Sequence, residues 1–232
     1  MVKSAIDIYK DCENTIKQSV YYRVQNFINN KMENYNHSFL DSISDGQYES
    51  KKWLCDSLNE LNLCTIDNIK TITNDCGVEG WKFPLLIDII GSWFGWPFID
   101  MFENTVCNRI SHIDLYDSDP NCHVITAQYK NHFNPSYKIV QHDDYFERKG
   151  VRRRHLVICT SCEHMGNFNR RYYKGNPFVC LQSNNYFDLP EHTNCVENVD
   201  ELIKKNKLKK IWYKGEKDFG TYKRFMTIGQ WQ

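Results

Sequence analysis

Leu85-Leu86-Ile87-Asp88-Ile89-Ile90-Gly91-Ser92-Trp93-Phe94-Gly95-Trp96-Pro97 is followed by His112-Ile113-Asp114-Leu115-Tyr116-Asp117-Ser118-Asp119-Pro120. The first stretch is an apolar strand running into a glycine loop, and the second is a strand ending in carboxylates. With a helix between them, this is the order by which a doubly wound α/β sheet builds a nucleotide pocket at the C-terminal edge of its strands.

Working outward, five further strands are expected, at Tyr137 to Gln141, His155 to Thr160, Phe178 to Gln182, Lys209 to Lys214 and Lys223 to Ile228, with the second quoted strand starting at Arg109. Strands alternating with helices imply parallel pairing through right-handed crossovers. Gly215 to Tyr222 is too short for a crossover helix, so the last strand should run antiparallel to its neighbours. The expected fold is a seven-stranded Rossmann-like doubly wound sheet with a C-terminal antiparallel hairpin.

The first eighty residues carry no convincing strand. Cys12, Ile16, Val20, Val24, Phe27 and Ile28 recur at helical spacing and predict a helix from about Ala5 to Asn34. A second helix is expected to start at Ser50, whose hydroxyl would cap it, with Trp53, Leu54, Leu58 and Leu61 on one face. Ile66, Ile69 and Ile72 suggest a third segment. The reading is therefore an N-terminal helical extension over 1–80, acting as a lid, before an α/β domain over 81–232.

Lys plus Arg and Asp plus Glu number 29 each, so no overall field favours nucleic acid or an anionic membrane. The ten cysteines are scattered and follow no secretory leader, which suggests reduced thiols in the cytoplasm. No apolar run approaches the roughly 20 residues of a membrane-spanning helix.

The element order, the glycine loop, the acidic end of the second strand and the closing hairpin resemble the class I S-adenosylmethionine-dependent methyltransferases, over roughly Trp81 to the C-terminus. The resemblance implies S-adenosylmethionine as cofactor. It gives Asp88 the place of the acid at the first strand, Gly91 and Gly95 that of the glycines beside the cofactor, and Asp143 that of an acid on the adenine amino group. Trp93, Phe94 and Trp96 are far bulkier than the residues usual in such a loop. Asp117, at the tip of the second strand, is the candidate for both ribose hydroxyls, a bidentate geometry suited to a carboxylate. Asp119 reads as the N-cap ahead of Pro120.

After the fourth strand, Thr160-Ser161-Cys162-Glu163-His164-Met165 emerges at the sheet edge where open α/β sheets place reacting groups. Glu163 and His164 are the catalytic candidates, as general base and substrate anchor, because deprotonating an attacking oxygen or nitrogen needs a group titrating near neutrality. The Asp/Asn-Pro-Pro-aromatic motif of base-amino methylation is absent. Beyond the fifth strand, Asn184, Asn185, Tyr186 and His192 offer amides and rings to a polar or planar acceptor.

Cys162 as a covalent nucleophile is disfavoured, since the Pro-Cys dipeptide of one such group is missing. No metal is expected: Cys159-x-x-Cys162 has ligand spacing, with His164, Cys180, His192 or Cys195 to complete a set, but Cys159 lies in a strand and no second cysteine pair repeats the spacing. Arg152-Arg153-Arg154 and the lysines from Lys204 to Lys210 read as solvated surface, and Lys51 and Trp53 are placed at the cofactor mouth. The expected activity is methyl transfer from S-adenosylmethionine to a polar small molecule or nucleotide-type acceptor; nucleic acid is not indicated and no oligomeric state is marked. The alternatives are aminocarboxypropyl transfer, cofactor cleavage, or an adaptor that kept the fold without chemistry.

Overall fold

In the computed structural model of the protein, described over residues 15–42, 44–61, 63, 85–95, 99, 110–133, 137–146 and 150–232, three helices come first. They are α1 (Thr15–Lys31), α2 (Asn36–Ser42) and α3 (Asp45–Glu60). Then follow β1 (Leu85–Ile90), β2 (Ile110–Tyr116), α4 (Pro120–Phe133), β3 (Lys138–His142), β4 (Arg152–Arg153) and β5 (Leu156–Cys159). The chain ends with β6 (Tyr173–Lys174), β7 (Phe178–Asn184), α5 (Val199–Lys205), β8 (Lys210–Asp218) and β9 (Lys223–Gln230).

Seven strands form one sheet in the order β3-β2-β1-β5-β7-β9-β8. The first five are parallel, and β9 lies between β7 and β8, antiparallel to both. The expected seven strands and closing hairpin are therefore present. β4 and β6 form a separate two-stranded ladder that the sequence pattern did not suggest, each being only two residues long.

Side chains alternate across a strand, and here the alternation sorts the core into two layers. Leu85, Ile87 and Ile89 of β1, with Ile113 of β2, Ile158 of β5 and Met226 of β9, face one side and pack with Val24, Ile28, Phe39, Leu54 and Leu58 of the N-terminal helices. Ile90, Tyr116, Val157, Val179 and Phe225 face the other side, with Tyr145, Phe168 and Leu202. Burial on both faces explains why β5 and the first four residues of β7, Phe178 to Leu181, read as unbroken apolar runs. The N-terminal helices thus share a core with the sheet, and Gln182 of β7 donates to the Ser50 carbonyl of α3 at 2.8 Å.

Two expectations are corrected. Helix α3 starts at Asp45 with Ser44 as its N-cap residue, and Ser50 lies inside it with its hydroxyl bonded back to the Gln47 carbonyl at 3.0 Å. A serine within a helix can satisfy itself this way, so its presence does not mark a start. Arg154 is not solvated surface: its guanidinium bridges Asp88 and Asp114, which are register partners in β1 and β2, and its side chain is only 10% exposed. The Ile66–Ile72 segment, Trp81, Trp96 and Pro97 lie outside the described residues.

Candidate active site

The parallel strands β1, β2, β3, β5 and β7 all end at one edge of the sheet, and a cavity of about 850 Å³ opens there. Gly91, Asp117 and Asp143 leave the ends of β1, β2 and β3 on one side of it; Glu163, His164, Asn184, Tyr186 and His192 follow β5 and β7 on the other. Asp41 and Gln47 from the helical segment, and Tyr222 and Arg224 from the closing hairpin, complete the wall.

In the loop after β1 the positive-φ residues alternate: Gly91 at 61°, Trp93 at 51° and Gly95 at 71°. A left-handed backbone costs a glycine nothing but is rare for a bulky residue. Trp93 is held there by three contacts. Its main-chain N–H donates to Asp117 Oδ2 at 2.7 Å, its indole N–H donates to Ser38 Oγ of α2 at 3.1 Å, and its ring stacks on Phe94 at 5.6 Å. The indole lines the cavity. Gly95 does not, because it faces the core, where a Cβ would meet Ile99 Cδ1 at 2.9 Å and Leu115 Cδ1 at 3.1 Å.

Asp117 sits at the tip of β2. Its Oδ1 accepts the N–H of Asp119 at 3.1 Å and its Oδ2 that of Trp93, and the Cys122 thiol is a further neighbour of the carboxylate. Burial raises its carboxyl above the usual aspartate range, partly offset by those two N–H donors. Asp119 accepts the N–H of Asn121 at 2.9 Å at the start of α4, the N-cap role expected of it. Asp143 is 90% exposed on the cavity rim, 3.6 Å from His123.

Asp88 does not reach the cavity. It lies within β1, not at its end, and faces the second core layer, where Arg154 and the Tyr173 hydroxyl (3.1 Å) take its oxygens. Asn185 is also turned away: its side-chain oxygen accepts the Lys223 N–H at 2.7 Å and its own N–H donates to the Lys223 carbonyl at 3.2 Å. Trp53 packs in the core, donating to the Tyr213 hydroxyl at 2.9 Å. Lys51 points toward the sheet edge, where it joins Gln47, Gly91 and Ser161 around a small adjoining recess. Burial, and the nearby Arg224 cation, depress its ammonium to about 7.

Glu163 is the most constrained group of the site. It occupies a 3-10 turn, Cys162–His164, that Asn194 clamps by donating to the carbonyls of Cys162 (3.2 Å) and Met165 (2.7 Å). Its Oε1 accepts from Asn184 at 2.8 Å and from Arg224 at 3.3 Å, while its Oε2 is buried with no partner. Arg224 also donates to the Thr160 carbonyl at 2.8 Å. Nothing local in the sequence marks Arg224; the antiparallel register pairs it with Asn184 and so brings it to Glu163. Asn194 was likewise invisible, since its partners lie some thirty residues away. Cys162 is buried, and that burial pushes its thiol well above the usual value, which does not suit a nucleophile.

No family model matches the sequence, and no curated protein matches it either. Among solved structures, a candidate sarcosine dimethylglycine methyltransferase from Galdieria sulphuraria aligns over 80% of this chain and 86% of its own, with a TM-score of 0.54 at 9% identity. The [4+2]-cyclase SpnF aligns over 70% of this chain and 78% of its own, with a TM-score of 0.50 at 8% identity. Strand order, closing hairpin and these alignments agree that the chain has the α/β fold of the class I methyltransferases.

Proposed function

We propose that the cavity binds S-adenosylmethionine and that the protein methylates a polar small molecule or nucleotide-type acceptor. The observation that carries this reading is the division of one cavity into two sides. Gly91, Asp117 and Asp143 lie on the side of β1 to β3, and Glu163, His164, Tyr186 and His192 on the side of β5 and β7. The volume, about 850 Å³, falls within the usual range for ligand sites.

The residues present fit the cofactor. Asp117 lines the cavity with a carboxylate that suits the two ribose hydroxyls, and Asp143 offers an exposed carboxylate to an adenine amino group. Gly91 lines the cavity, and its lack of a Cβ leaves room for Met165 Sδ, which an added Cβ would meet at 3.0 Å. When bound, S-adenosylmethionine supplies an electrophilic methyl group.

The protein's own part is alignment and exclusion of water. Asn184 and Arg224 hold Glu163 in place, so Asn184 serves the acceptor through Glu163. Tyr186, stacked on Tyr222 at 5.7 Å, gives the acceptor side a flat apolar wall. Calorimetry with S-adenosylmethionine and with S-adenosylhomocysteine tests the reading; absence of binding to both overturns it. Product analysis then separates the chemistries, since methylthioadenosine in place of S-adenosylhomocysteine would mean that the cofactor is used otherwise.

A further inference from the structure

Glu163, His164 and His192 each bring one metal-ligating atom to a common point at the acceptor end of the cavity, the three atoms lying within 4.8 Å of one another. Two independent features show that these atoms are aimed and available. The first is the Glu163 carboxylate, 3% exposed. Its Oε1 is occupied by Asn184 and Arg224, and its buried Oε2 has no partner. A buried carboxylate oxygen without a donor is costly unless something positive meets it.

The second feature is the orientation of the two imidazoles. His164 Nδ1 lies 3.2 Å from the Glu191 carbonyl, and His192 Nδ1 lies 2.7 Å from the Tyr186 carbonyl. A carbonyl oxygen only accepts, so in the neutral rings Nδ1 carries the proton and Nε2 presents its lone pair. Metal-ligating histidines are oriented in this way, by donating the other ring N–H to a carbonyl or carboxylate. The rings meet edge to face at 4.6 Å.

We propose that Glu163, His164 and His192 bind a divalent transition-metal cation whose open positions face the cavity and take an oxygen of the methyl acceptor. Two imidazoles and a carboxylate favour a zinc-like ion over calcium or magnesium. Three protein ligands leave room for an exogenous one. Ligands about 2.0–2.2 Å from such an ion stand roughly 3.4 Å apart, so the set closes by up to about 1.4 Å when it binds. His164 is exposed and His192 half-buried, which gives the ion a path in.

The part of the proposal that concerns the acceptor rests on the methyltransferase reading above: Glu163 and His164 then act on the acceptor through the cation. A cation lowers the pKa of a hydroxyl it holds, so the acceptor class is an alcohol or phenol. The proposed ligand set contains no cysteine, and for that reason cysteine spacing in the sequence does not reveal it.

The test is titration of the chelator-stripped full chain with Zn²⁺ by calorimetry and with Co²⁺ by visible absorption. One equivalent is expected, with ligand-field bands of a histidine–carboxylate site. His164→Ala, His192→Ala and Glu163→Gln should each weaken binding by more than about tenfold, the least that even outer-shell losses cost. No saturable binding, or unchanged affinity in His164→Ala and His192→Ala, overturns the site. Circular dichroism confirms the fold of each variant, and His164→Ala, at an exposed ring, keeps the test alive if Glu163→Gln does not fold. Catechol should shift the Co²⁺ bands; an unchanged spectrum overturns the open positions. Calorimetry of the metal-free chain with S-adenosylhomocysteine separates the two readings, because metal binding without nucleoside binding overturns the methyltransferase reading and leaves the site standing.

Discussion

The main-chain N–H of Trp93 donates to the Asp117 carboxylate at 2.7 Å, which ties the loop after β1 to the tip of β2. The same carboxylate takes the Asp119 N–H, so one side chain sets the shape of the loop and also faces the cavity. Asp117→Ala strips two N–H groups of their acceptor, a cost of about 1–3 kcal/mol for each that stays buried. It also removes the proposed ribose contact. We expect S-adenosylhomocysteine affinity to fall by more than about tenfold, or 1.4 kcal/mol, in calorimetry; an unchanged affinity would remove Asp117 from the cofactor site.

The same residue predicts an acid limit to binding. Burial favours its protonated form, so the Asp117 carboxyl takes up a proton at a higher pH than an exposed aspartate does. Affinity that needs the carboxylate should be lost as pH falls through that raised value. A calorimetric series into the acid range should show this step in the wild type and lack it in Asp117→Asn.

Arg154 lies between Asp88 and Asp114, which are cross-strand partners. Tyr173 donates to Asp88 at 3.1 Å, and His142 Nε2 lies 2.6 Å from Asp114, so the cluster is a network spanning three strands of the sheet and the β4–β6 ladder. Removing one partner of a buried ion pair typically costs about 3–5 kcal/mol, whereas apolar replacement of the whole group is often neutral. Arg154→Ala should lose stability on that scale in urea denaturation. Replacing Arg154, Asp88 and Asp114 together by Met and Leu should recover most of it.

Lys51 should make stability depend on pH in the alkaline direction. Its ammonium titrates at about 7 in the fold against the usual 10.5, so between these values the unfolded chain holds the extra proton. Stability therefore rises with pH through that window. The advantage of Lys51→Met over the wild type should be greatest below about 7 and shrink as pH rises. Denaturation midpoints of the two proteins, compared at neutral and alkaline pH, check this, and a constant gap would contradict it.

Trp93→Gly sets backbone strain against packing. A left-handed residue other than glycine costs about 1–2 kcal/mol, and glycine would relieve it. Loss of a buried tryptophan side chain costs about 3–5 kcal/mol, somewhat less here because the indole is only half-buried. Packing and the Ser38 bond should win, so the variant should be less stable in urea. Trp93→Phe, which keeps the strain and loses the Ser38 bond, should fall between.

The path of the chain through the sheet was legible because its signals are local. The run Leu85 to Ile90 is a strand in both the sequence reading and the structure, and the short stretch from Gly215 to Tyr222, whose first four residues the structure adds to β8, foretold the antiparallel β9. Ser118-Asp119-Pro120 likewise announced the start of α4, since an N-cap acts within one turn. Ser50 misled for the converse reason: within a helix the same hydroxyl is satisfied by its own backbone.

Sequence alone thus determined the seven strands of the main sheet, the closing hairpin and the edge at which Asp117, Asp143, Glu163 and His164 emerge. Which of the acids and amides line the cavity was decided only by tertiary structure. Asp88 and Asp117 both read as acids of the cofactor site, yet one is an interior strand residue facing Arg154 and the other a strand tip facing the cavity. Asn184 and Asn185 are neighbours, yet strand alternation and the register with β9 send one to Glu163 and the other to the backbone of Lys223. The physical reason is the same in each case: a strand is set by a few adjacent residues, but the partner of a buried charge is chosen by packing between segments far apart in the chain.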